Sequence, residues 1–377
     1  ACFAGPNSTQ PPNGSEPASP AGSLQTRTTI TLMAIVTKDP QKFWPFLVHL
    51  HNSIIERLNR CVDLEWFLIV EFGSNSIAYE LPGADVYLIN RAVAVDRPGF
   101  FELSNETNCI NHPCEEFLMK LFLDSILPED RRGVIVLDAD LAVTADIHEL
   151  WLELDNFNRT QLYGLVREMQ PSYRRLRYKY QNFTGGLNGG VQLHHLDNIR
   201  AARRRRDPIT GHPYRTPYPG VMTAKGVLKG LQYSRLGDQD YYTALQIFHP
   251  EYFYKLPCGW NRQLCMMWFL HVPAPMPCRR WQGLFACSGP KILHFNCFTF
   301  QRHLYREVML LWNYSQTWPI FAKVLRDECG HRMTNGPMHG AVPLSGLNAR
   351  YKQEINRYIA SGPPPATTSH AIRADRL

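Results

Sequence analysis

Long hydrophobic runs are missing from this 377-residue sequence, and no stretch approaches the roughly 18–20 apolar residues that a membrane-spanning helix needs. The longest runs, such as Trp66–Val70, have the length of strands. With 44% hydrophobic and 12% aromatic residues, the composition is not that of a disordered chain either. We therefore expect a globular protein with a large core, and the length allows two or three domains of about 100–200 residues each.

Cys-x-x-C pairs are also missing, although the sequence has ten cysteines. Five of them crowd into one segment rich in proline and tryptophan: Cys258, Cys265, Cys278, Cys287 and Cys297. Their spacings match no common zinc-ligand pattern. Disulfides are therefore favoured over a zinc site if the chain lies in an oxidising compartment, and the sequence leaves their pairing open.

Six Asn-x-Ser/Thr sites favour such a compartment. About two are expected by chance, whereas the sequence has them at Asn7, Asn13, Asn105, Asn158, Asn182 and Asn313. The chain also begins without a methionine, which suggests a processed or truncated product that a signal peptide or anchor preceded. We expect the lumen of the secretory pathway, either in the Golgi as part of a type II membrane protein or as a secreted protein. Membrane contact would then come only through an anchor that this chain does not contain.

An acidic excess is absent, and the net charge of +7 favours anionic ligands without choosing among them. The densest basic run is Arg203–Arg206. Such a run either grips a polyanion or, more commonly, forms a solvated face. No nucleic-acid-binding motif or aromatic interleaving accompanies it, so we expect no nucleic-acid partner.

The two ends of the chain differ in composition from the middle. Residues 1–24 are rich in Pro, Ser, Asn and Gly and predict a flexible stem. Residues 331–377 form a C-terminal extension with a Pro-, Thr- and Ser-rich end, predicted to be disordered from about residue 361. Residues 25–330 show no linker-like break and predict a single domain.

Strand and helix patterns alternate up to about residue 155, which predicts an α/β fold with a mostly parallel sheet. Strands are predicted at 29–37, 64–70, 84–89 and 134–137, and helices from Pro40, at 115–127 and at 146–154. Further on, strands are predicted at 162–166 and 190–193, and helices at 237–248, 305–311 and 320–325. The segment 168–235 is rich in Arg, Tyr, Pro and Gly and predicts loops over a binding site.

Two carboxylates, Asp138 and Asp140, directly follow the apolar run Val134–Leu137. The run predicts a buried strand, and open α/β sheets bind ligands at the carboxyl ends of their strands. Two acids separated by one small residue, Ala139, suit a hard divalent cation. The alternative is a structural role in capping or a salt bridge, since about one Asp-x-Asp is expected by chance in a chain of this length.

Three further segments place polar groups beside apolar strands or at a helix start. Gly185–Val191 contains four glycines around Asn188, which either let backbone approach a ligand or form a turn. Asp238 opens a predicted helix, where it either binds a ligand or caps the helix. His294 follows a short apolar strand and is either a metal ligand or a core histidine. Taken singly, each structural alternative is at least as good as the functional one.

Together and in this order, these segments resemble glycosyltransferase family 8. The resemblance spans about residues 29–301 and rests on Leu118-Met119-Lys120-Leu121, Val136-Leu137-Asp138-Ala139-Asp140, Asp146 through Leu150-Trp151, Leu187-Asn188-Gly189-Gly190-Val191, Asp238-Gln239-Asp240, Leu256-Pro257-Cys258-Gly259-Trp260-Asn261 and Ile292-Leu293-His294-Phe295-Asn296. The Pro-Cys-x-Trp-Asn motif is most similar to the xylosyltransferase domain of LARGE-type enzymes and to glucoside xylosyltransferases. The resemblance implies the GT-A fold, with a mostly parallel, Rossmann-like sheet flanked by helices, UDP-sugar donors, Mn²⁺ and retention at the anomeric carbon.

The same resemblance implies roles for individual residues. Asp138, Asp140 and His294 would bind Mn²⁺, which suits carboxylates with one imidazole and offsets charge on the leaving diphosphate. The other implied donor-binding residues are Lys120, Ala139, Asn188, Gly189, Asp238 and Gln239.

Asp238 and Gln239 are the implied catalytic residues. Asp238 would hydrogen-bond sugar hydroxyls, and Gln239 would lie on the face of the sugar opposite the leaving group. Because Gln239 is a neutral amide and a poor nucleophile, we expect front-side attack, in which the leaving phosphate takes the acceptor's proton. The expected donor is UDP-xylose, and the expected acceptor is a glycan or glycoprotein that the segment 168–235 contacts.

The sequence after His294 departs from the family pattern. Many members have a Gly and then a Lys that reaches the diphosphate, whereas Phe295 follows here and the nearest substitutes are Arg302 and His303. An inactive GT-A-fold binding module is therefore one alternative. A haloacid-dehalogenase-type phosphohydrolase is a weaker one, because it needs Thr or Val two residues after the second acid, where Ala142 stands. The second, glucuronosyl domain of LARGE-type enzymes is missing, so we expect no two-sugar polymerisation by this chain alone.

Overall fold

The computed structural model describes residues 27–37, 40–59, 61–71, 79–97, 99–106, 114–168, 173, 176–181, 183, 185–204, 236–263 and 291–294. The predicted stem, the C-terminal extension and the helices predicted at 305–311 and 320–325 lie outside these residues, as do Arg302 and His303.

Strands and helices alternate through the first part of the chain. The strands are β1 Thr28–Val36, β2 Val62–Val70, β3 Ala84–Asn90, β4 Val134–Leu137, β5 Leu141–Val143, β6 Tyr163–Arg167, β7 Leu187–His194, β8 Phe253–Lys255, β9 Arg262–Gln263 and β10 Ile292–His294. The α-helices are α1 Pro40–Ile55, α2 Arg91–Val95, α3 Phe100–Glu106, α4 Cys114–Leu118, α5 Leu123–Ile126, α6 Ile147–Leu152, α7 Leu176–Lys179, α8 Leu196–Arg204 and α9 Asp238–Phe248. Short 3₁₀ helices lie at Met119–Phe122, Glu153–Asn156, Pro250–Tyr252 and Cys258–Asn261.

A seven-stranded sheet has the order β3-β2-β1-β4-β7-β6-β8. The pairs β1–β2, β1–β4, β2–β3 and β6–β8 are parallel, whereas β7 runs antiparallel to β4 and β6. The predicted mostly parallel α/β sheet is therefore confirmed. Because β7 is antiparallel, its amino-terminal residues lie at the same edge of the sheet as the carboxyl end of β4.

Both faces of this sheet are covered. Along β4, Val134 and Val136 belong to one hydrophobic cluster, and Ile135 and Leu137 belong to another on the opposite face. All four are at most 1% exposed, which explains why the strand is an uninterrupted apolar run rather than an alternating one.

A small sheet in the order β5-β10-β9 joins distant parts of the chain at the end of β4. Strand β10 is antiparallel to β5, with His294 opposite Leu141, and parallel to β9, with His294 opposite Gln263. Since Leu141 follows Asp140 directly, this register places His294 beside the acid pair. The sequence patterns predict neither β5 nor β9, because strands of two or three residues show too little periodicity.

Three predicted features differ from the structure. The helix predicted at 115–127 is interrupted by the 3₁₀ helix Met119–Phe122, whose residues are all buried. The strand predicted at 190–193 begins at Leu187, so part of the glycine-rich motif lies within β7. The region predicted as loops includes helix α8. The basic run that starts at Arg203 is not a fully solvated face, because Arg203 pairs with Asp124 at 2.5 Å. None of the helices among the described residues is long and apolar enough to cross a membrane.

Arg200 on α8 holds the turn between α5 and β4, which precedes the acid pair. Its guanidinium, which is largely buried, donates hydrogen bonds to carbonyl oxygens of Asp124, Leu127, Pro128, Glu129 and Arg131. A planar group with five N–H donors can serve several acceptors at once, and a lysine ammonium cannot reproduce this geometry.

We predict that Arg200→Lys lowers the free energy of unfolding by about 2 kcal/mol, because some of these carbonyls lose their donor. Urea denaturation measures the loss. Arg204→Lys is the matched control, since Arg204 is exposed and bonds the Arg200 carbonyl, so its effect should stay within about 0.5 kcal/mol. Equal losses in the two variants would contradict the proposed role of Arg200.

Candidate active site

Asp138, Asp140 and His294 converge at the carboxyl end of β4. Their potential ligand atoms all lie within 4.8 Å of one another. His294 Nε2 is 3.4 Å from Asp140 Oδ1 and 4.0 Å from Asp138 Oδ2. The histidine is buried, whereas both acids and the intervening Ala139 are half-buried, so the carboxylates remain accessible from solvent.

The two acids of this cluster favour a positive charge beside them, including a protonated His294. Burial lowers the pKa of the His294 imidazole, but Asp140 and Asp138 outweigh burial and raise that pKa. Burial raises the pKa of Asp140, but His294 outweighs it and holds the pKa below its usual value. Two carboxylates and one imidazole nitrogen at this spacing fit a hard or borderline divalent cation.

Gly190 leaves the space that the His294 ring occupies. A Cβ atom on Gly190 would lie 2.2 Å from His294 Cε1 and 2.6 Å from its Nδ1. The Gly190 carbonyl also accepts a hydrogen bond of 2.9 Å from the Asp138 amide. Glycine is therefore required here for close approach of strand and side chain, not for a turn.

Lys120 lies behind the acid pair and is only 2% exposed. Its ammonium donates to Asp138 Oδ1 at 2.7 Å and to the Gly189 carbonyl at 3.3 Å, and lies 3.5 Å from Asp238 Oδ2. Burial lowers the pKa of this lysine, but Asp138 and Asp238 outweigh burial and raise it to about 12. A charged ammonium therefore joins the two aspartates. The salt-bridge role that was the structural alternative for Asp138 exists alongside the cation cluster.

Asp238 is buried in the first turn of α9. Burial raises its pKa to about 6, although Lys120 opposes this shift and Asp138 adds to it. Gly237 occupies the cap position of the helix, with φ 63° and no side-chain capping bond. The capping alternative for Asp238 is therefore wrong, and its carboxylate is directed to the site.

Gln192 on β7 is a site residue that the sequence motifs do not predict. Its Nε2 donates to Asp238 Oδ2 and to the Gly189 carbonyl. Its Oε1 accepts from the Tyr242 hydroxyl at 3.0 Å and lies 2.8 Å from His194 Nε2. These contacts fix the orientation of the amide, so Gln192 holds the Asp238 carboxylate in place. Its signal in the sequence is weak, since it is one polar residue in a buried strand.

Strand β7 bulges where it meets β6. The pairing runs from Leu165 opposite Gln192 directly to Val166 opposite Asn188, which leaves Gly189, Gly190 and Val191 outside the ladder with β6. The amide of Gly189 donates to Gln239 Oε1 at 3.2 Å, and its carbonyl accepts from Lys120. Such bulges redirect backbone groups toward a site, and here the backbone of Gly189 bonds two of the predicted residues, Gln239 and Lys120.

Gln239 and Asn188 both contact Glu168, a buried acid that the sequence does not predict as a site residue. Gln239 Nε2 and Asn188 Nδ2 both donate to Glu168 Oε2, at 2.7 Å and 2.9 Å. All three residues are at most 8% exposed.

Tyr173 packs over the start of β7. A Cβ atom on Gly186 would lie 2.0 Å from the Tyr173 ring, and the Tyr173 hydroxyl donates to Asp240 Oδ1 at 2.7 Å. Asp240 also accepts from the Leu236 amide at 2.7 Å. The second acid of the 238–240 motif therefore bonds Tyr173 and the Leu236 amide, whereas the first faces Lys120.

Comparison with known proteins relates the chain to two groups. No family model matches the sequence. The chain is 32% identical over 197 residues to xyloside xylosyltransferase 1 of Mus musculus, across 48% of this chain and 47% of that protein. It is 37% identical over 151 residues to the xylosyl- and glucuronyltransferase LARGE2 of Mus musculus, across 39% of this chain and 20% of that protein. The chain thus spans about half the length of the first relative and about a fifth of the second.

The crystal structure of mouse xyloside xylosyltransferase 1 in its apo form matches with a TM-score of 0.54 and 23% identity, across 72% of this chain and 98% of that chain. The chain has the GT-A fold. The predicted fold class and the predicted resemblance to xylosyltransferases and LARGE-type enzymes are confirmed. The GT-A fold also removes the haloacid-dehalogenase alternative, which requires a different arrangement of strands. The predicted site residues all lie among the described residues, and they meet at the edge of the sheet where β4 ends.

We predict that Gly190→Ala weakens binding of a divalent cation at least tenfold, because the added methyl displaces the His294 ring. Electron paramagnetic resonance of free Mn²⁺ during titration measures the affinity. Gly83→Ala is the control: Gly83 has φ 78°, so alanine would strain the backbone there, but the atom nearest to the added Cβ is Ile55 Cδ1 at 3.9 Å. Wild-type affinity in Gly190→Ala, or equal weakening in Gly83→Ala, would contradict the assignment.

Proposed function

We propose that this chain is a Mn²⁺-dependent, retaining glycosyltransferase of family 8, with its catalytic domain at residues 25–330, that transfers xylose from UDP-xylose to a glycan or glycoprotein. One observation carries the proposal: the cluster of Asp138, Asp140 and His294 lies next to the buried Lys120–Asp238 pair at the carboxyl edge of a GT-A sheet. One relative matched in sequence is named a xylosyltransferase and the other a xylosyl- and glucuronyltransferase, and xylosyl transfer, which both names share, favours xylose as the donor sugar.

The diphosphate end of the donor belongs at the acid–histidine cluster. Asp138, Asp140 and His294 would hold the cation, which when bound offsets the charge that develops on the leaving diphosphate. Ala139, between the two acids, has no side chain beyond Cβ to obstruct the nucleotide. Lys120 orients the Asp138 carboxylate, because its ammonium donates a hydrogen bond to Asp138 Oδ1.

The sugar end of the donor belongs beside the amino-terminal part of β7. The bulge there brings Gly189 to Asp238, and a Cβ on Gly189 would lie 3.0 Å from Asp238 Oδ2. Asp238 would accept hydrogen bonds from sugar hydroxyls, with Asn188 and Gly189 lining the same space. Lys120 and Gln192 hold the carboxylate ready for this role, so little reorganisation is needed when the sugar binds.

Retention of configuration is proposed to follow from front-side attack. Both polar groups of the Gln239 amide are engaged, Oε1 by the Gly189 amide and Nε2 by Glu168, which leaves a neutral and occupied group as the potential nucleophile. The acceptor oxygen would then bond to the anomeric carbon on the face from which the phosphate oxygen departs. The leaving phosphate takes the proton of the acceptor hydroxyl, so no protein base is required. Acceptor contacts are proposed for the segment 168–235.

A Golgi location is proposed on two features. Cys61 and Cys258 each take part in a disulfide, which suits an oxidising compartment. The sequons at Asn105 and Asn158 lie on exposed residues, where a glycan can be attached without disturbing the core.

A donor panel tests the function directly. We predict that purified protein hydrolyses UDP-xylose faster than other UDP-sugars with Mn²⁺ present, and that EDTA or Asp140→Ala abolishes the activity. Asp155→Asn is the control, because Asp155 is an exposed carboxylate paired with Arg132. No turnover with any UDP-sugar, together with no rise in melting temperature on adding UDP, would favour the non-enzymatic binding module.

Asp238→Asn separates chemistry from nucleotide binding. We predict a fall in kcat of about tenfold or more, since charge-assisted hydrogen bonds to the sugar contribute about 1.5–3 kcal/mol. The affinity for UDP, measured by calorimetry with Mn²⁺, should remain at the wild-type value because UDP lacks the sugar. Asp197→Asn, on the exposed start of α8, controls for loss of a carboxylate. A variant that loses UDP affinity in step with kcat would place Asp238 at the nucleotide instead.

A further inference from the structure

Three buried polar residues connect the cluster of Asp138, Asp140 and His294 with the proposed sugar end of the site. They are Asn261, Asn188 and Glu168, and they are 0%, 3% and 2% exposed. We refer to them as the buried hydrogen-bond chain. Polar side chains at this depth are costly unless they are satisfied, so their contacts carry information about what they do.

The buried hydrogen-bond chain begins at His294. His294 Nδ1 lies 3.1 Å from Asn261 Oδ1, and Asn261 Nδ2 donates to Asn188 Oδ1 at 2.8 Å. Asn188 Nδ2 then donates to Glu168 Oε2 at 2.9 Å. Each amide accepts on the histidine side and donates on the glutamate side, so all three hydrogen bonds run in one direction. In this direction His294 Nδ1 is the donor to the Asn261 oxygen.

One backbone group and one carboxylate determine that direction. The Gly190 amide donates to Asn188 Oδ1 at 3.0 Å, so an oxygen must stand at that position. The Glu168 carboxylate accepts hydrogen bonds, so Asn188 must present its nitrogen there. Asn261 therefore turns its nitrogen to Asn188 and its oxygen to His294, which must carry its proton on Nδ1. The Nε2 lone pair is then left facing Asp138 and Asp140.

The same carboxylate also orients Gln239. Gln239 Nε2 donates to Glu168 Oε2, and its Oε1 accepts from the Gly189 amide. One buried acid thus fixes the proton position on the metal-cluster histidine and the orientation of the amide at the proposed sugar end. None of the motifs in the sequence assigns a role to Glu168.

We propose that Glu168 is the positioning residue of the site, acting through Asn188 and Asn261 to present His294 Nε2 to the cation and acting directly to orient Gln239. The proposal rests on the proposed function for the identity of the site, but its geometry is independent of the donor. Groups that orient a metal-ligating histidine through its second nitrogen typically change metal affinity by about 10–100-fold when removed.

Two substitutions at Glu168 separate its hydrogen-bonding role from its volume. Glu168→Leu fills similar space without an acceptor, so we expect the dissociation constant for Mn²⁺, measured by electron paramagnetic resonance without nucleotide, to rise about tenfold or more. Glu168→Gln keeps an oxygen that can accept from both amides, so we expect affinity within about threefold of wild type. In the UDP-xylose hydrolysis assay the variants should rank in the same order by kcat.

Glu65→Leu is the matched control. Glu65 is also 2% exposed and accepts from Thr31 and Arg131, but it lies on β2 away from the site. We expect Glu65→Leu to lower the melting temperature and to leave Mn²⁺ affinity unchanged. Wild-type affinity in Glu168→Leu, equal weakening in Glu65→Leu, or equal losses in Glu168→Leu and Glu168→Gln would each overturn the proposal.

A measurement on the unaltered protein covers the case in which Glu168→Leu does not fold. Long-range ¹H–¹⁵N correlation spectra of histidine-labelled protein without metal, at a pH that leaves the ring neutral, report which ring nitrogen bears hydrogen. We expect the proton on Nδ1 of His294, with the signal assigned by its loss in His294→Asn. A proton on Nε2 would overturn the proposal. If wild-type protein fails to bind Mn²⁺ while Nδ1 is protonated, the Mn²⁺ dependence in the proposed function is wrong, and so is the role of Glu168 toward the cation.

Discussion

The site depends on one buried ionic interaction, that of Lys120 with two carboxylates. An ammonium that is 2% exposed keeps its charge only if protein acceptors replace the lost water. Asp138 after β4, the Gly189 carbonyl on β7 and Asp238 on α9 supply those acceptors. Because removal of one partner leaves an unbalanced buried charge, the interaction locks three separate elements into one geometry. The 3₁₀ interruption at Met119–Phe122 belongs to this arrangement, since it lies where Lys120 is buried.

Strand β4 and the two acids that follow it can be predicted from the sequence. The run Val134–Leu137 is apolar because both of its faces are covered, so the strand and the acids at its end can be predicted from residues in one short window. Lys120, Asn188, Asp238 and His294 are individually ambiguous, and the order of the motifs is what predicts them as site residues. Their convergence depends on tertiary structure: β7 runs antiparallel to β4, so its amino-terminal residues lie at the carboxyl end of β4, and β10 pairs with β5.

The rest of the candidate site depends on pairing between residues far apart in the chain, and the sequence does not predict it. Gln192 and Glu168 act through hydrogen bonds that exist only because β7 pairs with β6 and bulges at Gly189. A bulge of this kind has no signal beyond glycine, which also predicts an ordinary turn. The helix predicted at 115–127 shows the same limit, because periodicity alone does not distinguish a continuous α-helix from one interrupted by a 3₁₀ turn.

The three-residue strand β10 gives the cation cluster a second physical role. His294 reaches the acid pair only because β10 pairs with β5 and β9, and closing so long a segment of chain costs conformational entropy. Any ion that binds only when all three ligands are assembled stabilises that closure by mass action, and docking of β10 in turn raises the affinity for the ion. With a cation bound, the cluster would also act as a reversible cross-link, and the concentration of free cation would set how firmly β10 is held to β5 and β9.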